Sequence, residues 1–249
     1  MHYHSNDTFS NIRKVNMTEN YKTRLAAATM AALSMFLGAD SAMGSAIPSE
    51  KASSAETTAV KAPSKIKDDR LSIGPGELSG EDFSNCWKDS IKRLCFAGTK
   101  IGAEAAQEIA PKISAGNVTR LEFMGSDVAP DAMKIILEAC CTPGAKLERL
   151  DINGNYNSRY SKRNPLIRNE ETNLIVNLLE NSSTLKDIAI LGTALTDSSA
   201  ADIAEALLLN DSLTDFWFYC NEDVTSKGID ALRAVAKNKG LDTTRIRIW

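Results

Sequence analysis

Hydrophobic residues return along this chain in a repeated frame, with an aliphatic residue or Phe at the first, fourth and sixth places. Copies begin at Ile91 (IKRLCF), Val118 (VTRLEF), Leu147 (LERLDI), Leu185 (LKDIAI) and Leu213 (LTDFWF), and a worn copy begins at Leu241 (LDTTRI). They recur about every 28 residues, with one interval longer by about ten. The alternation within each copy predicts a short strand with its apolar side inward. Two residues beyond each last apolar place stand Gly98, Gly125, Gly154, Gly192 and Cys220. Next come Thr99, Ser126, Asn155, Thr193 and Asn221, each able to hydrogen-bond a turning backbone. Ile101, Val128, Leu195 and Val224 follow, then Ala105, Ala132, Ser199 and Gly228 four residues later, then Ile109, Ile136, Ile203 and Leu232 after four more. Such spacing, with small residues in the middle, predicts one face of a helix lying close to a neighbour. A unit of one strand and one helix cannot bury its own core, whereas stacked units share one.

These registers resemble the leucine-rich-repeat family, and the unit length resembles its ribonuclease-inhibitor-like subfamily. The resemblance covers Ile91 to Trp249. It implies an α/β solenoid, a short horseshoe with a parallel β-sheet on the concave face and α-helices on the convex face. Thr or Ser replaces Asn in three copies, Pro111 is expected to interrupt the first helix, and the third repeat is overlong. Upstream, Phe83 and Trp87 stand four apart, so Glu81 to Ser90 reads as a cap helix over the first repeat. The aromatic terminus at Trp249 also resembles the closing strand of an outer-membrane barrel, but helices between the short strands argue against one.

Residues Leu25 to Ala39 are an uncharged apolar run, preceded by Lys22 and Arg24 and followed by Gly44-Ser45-Ala46. Basic flank, apolar centre and small-residue end describe a secretory signal peptide, and the run is short for a permanent membrane anchor. Its proportions fit a start at Met17 better than one at Met1. An Ala-rich helix of the fold and an uncleaved anchor are the alternatives. The expected organisation is a leader and signal peptide over 1–46, a flexible linker over 47–70, an N-terminal cap over 71–90 and leucine-rich repeats over 91–249. The expected destination is secreted or periplasmic, with no membrane span after cleavage.

Composition narrows the function classes. The chain has 249 residues, 29 Lys and Arg against 32 Asp and Glu, and a net charge of -3, which argues against a dedicated nucleic-acid binder. The two histidines, His2 and His4, lie in the leader, so the repeats have no imidazole for a catalytic triad or a metal. The five cysteines contain no CxxC pair, and no phosphate-loop, nucleophile-elbow or zincin motif occurs. We therefore expect no enzyme activity, no cofactor and no metal.

Candidate chemistry sits at the outward strand places. One column holds Cys95, Glu122, Asp151, Ala189, Trp217 and Arg245; the next holds Ala97, Met124, Asn153, Leu191, Tyr219 and Arg247. The expected partner-binding residues are Glu122, Met124, Asp151, Asn153, Leu191, Trp217, Tyr219, Arg245 and Arg247, on a concave face presented to a protein partner. Trp, Tyr and Arg together have the composition of interface hot spots. The alternative for this cluster is that Trp217 stacks on Arg245 and protects the end of the repeats. A basic aromatic loop, Tyr156 to Asn169 (YNSRYSKRNPLIRN), offers a grip for RNA or an acidic partner, though a solvated loop is the plainer reading. Glu122 and Asp151 should be neighbours, which admits a carboxylate-based hydrolase as a rival, and an envelope-structural, self-associating role is another. Asn117, Asn181 and Asn210 begin glycosylation sequons.

Overall fold

The computed structural model describes residues 61–154 and 166–248. The apolar run at 25–39, its small-residue end and most of the basic loop lie outside those residues. The described residues all belong to one unit, Thr57–Trp249.

In chain order the elements are β1 (Ser64–Lys67), β2 (Arg70–Ile73), β3 (Gly76–Leu78), α1 (Gly80–Cys86), β4 (Arg93–Ala97), β5 (Thr99–Ile101) and α2 (Ala103–Ser114). There follow β6 (Arg120–Met124), β7 (Asp127–Val128), α3 (Pro130–Cys140), β8 (Arg149–Asn153) and α4 (Thr172–Asn181). The last are β9 (Asp187–Leu191), α5 (Asp197–Leu209), β10 (Asp215–Tyr219) and α6 (Ser226–Asn238). The result is a mixed α/β structure on a mostly parallel sheet, ordered β1-β2-β4-β6-β8-β9-β10. Only the β1–β2 pairing is antiparallel. A second, three-stranded sheet runs β3-β5-β7. Each helix packs chiefly on the helices before and after it, so the helices form one layer in the same order as the strands.

Alternation explains which side the helices take. Leu94 and Phe96, Leu121 and Phe123, Leu150 and Ile152, Ile188 and Ile190, and Phe216 and Phe218 are buried beneath the helix layer. The first places of the frame, Ile91 through Leu241, are buried beside them, as are Ile109, Ile136, Ile203 and Leu232 from the helices. The small residues expected mid-helix, Ala105, Ala132, Ser199 and Gly228, are buried too. At Gly228 a Cβ would come within 3.0 Å of Ala200 on the preceding helix.

The turns after β4, β6, β9 and β10 repeat as the sequence predicts, while Asn155, after β8, lies outside the described residues. Gly98, Gly125 and Gly192 have φ of 65, 58 and 60°, and Cys220 takes the same left-handed conformation at 57°. Beside them a polar ladder satisfies the turning backbone. Thr99 Oγ1 donates to the Ile73 and Gly74 carbonyls, both at 2.9 Å, and Ser126 Oγ donates to the Phe96 carbonyl at 3.0 Å. Asn221 Nδ2 donates to the Ile190 carbonyl at 3.1 Å, while its Oδ1 accepts from the Thr193 amide and hydroxyl. Helix starts are also tied to the preceding repeat. Asn169 Oδ1 accepts from the Thr196 amide, and Asp197 Oδ1 accepts from the Thr225 and Gly228 amides. The Thr225 hydroxyl, which donates to Asp197 Oδ2, and then these amides hold the Asp197 carboxyl below its ordinary range.

Several expectations need correction. The segment assigned to the linker already contains β1 and the start of β2, and the cap is a full strand–strand–helix unit, β2, β3 and α1. Its frame is hidden because Asp68, with φ of 53°, occupies the first apolar place. The cap helix ends at Cys86, with Trp87 as its C-cap, although Phe83 and Trp87 do meet at a ring separation of 5.8 Å. Helix α2 continues through Pro111, which removes one i to i−4 bond but falls in the final turn, so little helix lies beyond it to be displaced. The worn copy at Leu241 is no strand. It forms a 3-10 turn over Thr243–Arg245 and touches β10 through a single bridge, Phe218 to Ile246. All five cysteines are free thiols. Of the sequon residues, Asn210 is buried and bonded to the Leu179 carbonyl and the Ser212 and Leu213 amides.

Candidate functional site

The helix-free face of the seven-stranded sheet carries the outward residues in three rows set by the strand register. The middle row runs Ser72, Cys95, Glu122, Asp151, Ala189 and Trp217. The next runs Ala97, Met124, Asn153, Leu191 and Tyr219. A further row runs Arg70, Arg93, Arg120, Arg149, Asp187 and Asp215. Sequence reasoning passed over this third row. Its signal was present as the Arg-Leu pair at the start of four strands, where Arg occupies the outward place just before the central Leu. Parallel pairing then sets four guanidinium groups on adjacent strands, about 4.8 Å apart at the backbone.

Like charges so close are tolerated because acids are interleaved with them. Arg70 reaches across β4 to Glu122 at 2.9 Å, passing over Cys95. Arg93 pairs with Asp69 at 2.7 Å, and Arg149 with Asp187 at 3.0 Å and Asp151 at 3.5 Å. Arg120 is exposed, and no described acid lies within ion-pair distance of it.

Burial nonetheless raises the carboxyls of Asp151 and Asp187 above their ordinary range, outweighing the attraction of Arg149 on each. The Cys95 thiol is raised as well, by burial, against the favourable pull of Arg70. One oxygen of each of these aspartates, and Nε of Arg70 and of Arg149, is buried without a hydrogen-bond partner. Among the described residues these are the buried side-chain polar atoms left so, and all four lie on this face.

The chain matches no family model and no curated protein.

Each predicted residue has a definite place. Glu122 and Asp151 are register neighbours, as expected, and Met124 and Asn153 stand beside each other one step along. Met124 is 48% exposed and sets its sulfur 4.0 Å from that of Cys95. Trp217 and Tyr219 lie on the face but are half-covered, since Arg245 sits 4.2 Å over the Trp217 ring and Arg247 5.0 Å over Tyr219. Arg245 is held there by Asp215 and, at 3.1 Å, by Asp242. The geometry is that of the end-protecting alternative. Leu191 is a correction: it is only 4% exposed, filled in between Asn153 and Tyr219, and offers nothing to a partner. Among the described residues no group of three or more His, Cys, Asp or Glu is placed to hold a metal ion, and no helix is long and apolar enough to cross a membrane.

Proposed function

We propose that this chain is an exported leucine-rich-repeat module that binds a protein partner through the helix-free, concave face of its sheet. The observation that carries this reading is the charged and partly unsatisfied surface spread over β2, β4, β6, β8 and β9, with Arg120, Met124 and Asn153 at its open centre. Residues presented by rigid strands lose little entropy on binding, and buried polar atoms lacking partners are the groups a partner or bound water satisfies. Glu122 and Asp151 serve this reading better than hydrolysis, because arginines engage both and neither faces the other across a cleft. Export rests on the Lys22 to Ala46 segment of the sequence.

A photocrosslinking amino acid placed at Met124, and separately at the exposed helix residue Leu208, tests the assignment. Extracts of the producing organism and of cells it lives with supply candidates. A discrete adduct formed from Met124 and not from Leu208, identified by mass spectrometry and rebuilt with the purified protein, is the expected result. Adducts from Leu208 alone, or from neither position, overturn it.

A further inference from the structure

We infer that Arg120 is the anchor for a carboxylate of the partner, and that the recognised segment is an acidic peptide carrying an apolar side chain about four residues from that acid when extended. This inference rests on the reading of the face as a binding surface and specifies what binds there.

The argument is one of a guanidinium left without an ion pair. Arg93 on one side of Arg120 is taken by Asp69, and Arg149 on the other is taken by Asp151 and Asp187. Glu122, the acid nearest along the same strand, is taken by Arg70. The acids of this patch thus make their ion pairs with the flanking arginines; Arg120 attracts Asp187 only at longer range and stays exposed between Arg93 and Arg149. An incoming carboxylate meets a guanidinium whose five donors need not first be released from an internal partner. A basic segment finds every acid of the patch already paired with an arginine, and the exposed Arg120 opposes it.

The second feature is apolar. Met124 lies four residues beyond Arg120 on β6, hence about 13 Å along the strand with Glu122 between them, and is the most exposed apolar residue of the face. Its thioether is flexible and adapts to varied aliphatic or aromatic groups. An extended segment that bonds Arg120 through Asp or Glu therefore places an apolar residue about four positions away against Met124. The patch selects this pairing of charge and grease, not net acidity.

Selection of a random phage-displayed peptide library on the full chain tests this directly. The expected winners contain Asp or Glu about four residues from an apolar side chain. A winning peptide, measured by fluorescence anisotropy, should lose at least about tenfold in affinity when its acid becomes the amide, and as much with Arg120→Glu or Arg120→Gln. Arg120→Lys should keep most of the binding and the affinity should fall with added salt. Thermal unfolding of each variant establishes that it is folded. Winners that need Met124, as judged by Met124→Ser, but tolerate Arg120→Gln and carry no required acid overturn the anchor and leave the binding face standing. Winners indifferent to every variant of the face, or no enrichment over bare matrix, overturn the anchor together with the face.

Discussion

At the scale of single residues, environment decides what each side chain on the sheet face does. Asp151 shows this best. It has an arginine beside it at 3.5 Å, yet its carboxyl is raised because burial costs the ionised form more than that arginine returns. The linkage follows in sign. A carboxyl whose folded value lies above its unfolded value binds its proton more tightly in the native state. Its stabilising contribution is full below the ordinary carboxylate range and is lost as pH rises through the raised value. Asp151→Asn does not titrate, so its stability relative to the parent should be higher at pH 7 than at pH 4. Urea unfolding of both proteins at the two pH values measures this, and a difference of opposite sign means that the ion pair, not burial, governs the site. Arg120, by contrast, was legible only as one more charge until its neighbours were seen to be engaged elsewhere.

At the scale of elements, the turn after each strand is where sequence and structure agree most closely. The left-handed residue is Gly in three turns and Cys220 in the last, and a Cβ in that conformation costs roughly 1–2 kcal/mol. Glycine's extra freedom in the unfolded chain takes back about 0.5–1 kcal/mol. Cys220→Gly should therefore raise stability by about 0.5 kcal/mol, while Gly125→Ala, made in an equivalent turn, should lower it by about 1 kcal/mol. Urea midpoints check both together; a loss from Cys220→Gly alongside no change from Gly125→Ala would sink the account. Gly154 shows the limit of reading turns by pattern. It falls in the same register, but its constraint is space: an added Cβ would run into the Gly192 carbonyl oxygen. Nothing in the pattern distinguishes these two needs for glycine.

At the scale of the whole molecule, strands and helices follow one another in space as they do in sequence, so each unit rests mainly on its neighbours. Both ends of such an arrangement need cover. The β1–β2 hairpin and α1 supply it at one end. At the other, residues 241–248 do so without a strand: Leu241 and Ile246 are buried, the Arg247 amide donates to the Phe218 carbonyl, and Arg245 lies on Trp217. Arg245→Ala removes that stack and its ion pairs, and should cost about 1–2 kcal/mol. The loss should stay local. Hydrogen exchange should quicken in β10 and leave β4 unchanged, because stability here is summed over neighbours. Equal quickening throughout would show a single cooperative unit instead.

The repeated frame, the strand-and-helix order, the buried face of each element and the polar turn ladder were all determined by the sequence itself. Each depends on backbone geometry within one unit, and strand alternation, helical spacing and left-handed turns leave marks at short range. The accessibility of the outward residues was decided only by the tertiary structure. Leu191 and Cys95 occupy outward places yet are buried, one filled in by Asn153 and Tyr219 and the other crossed by Arg70 on its way to Glu122. The arginine row gains its meaning in the same way, from acids on neighbouring strands that pair with the other arginines and leave Arg120, among the described residues, without an ion pair at its centre. Such outcomes depend on how far long side chains reach across strands whose residues lie far apart in sequence, and no local period records that reach.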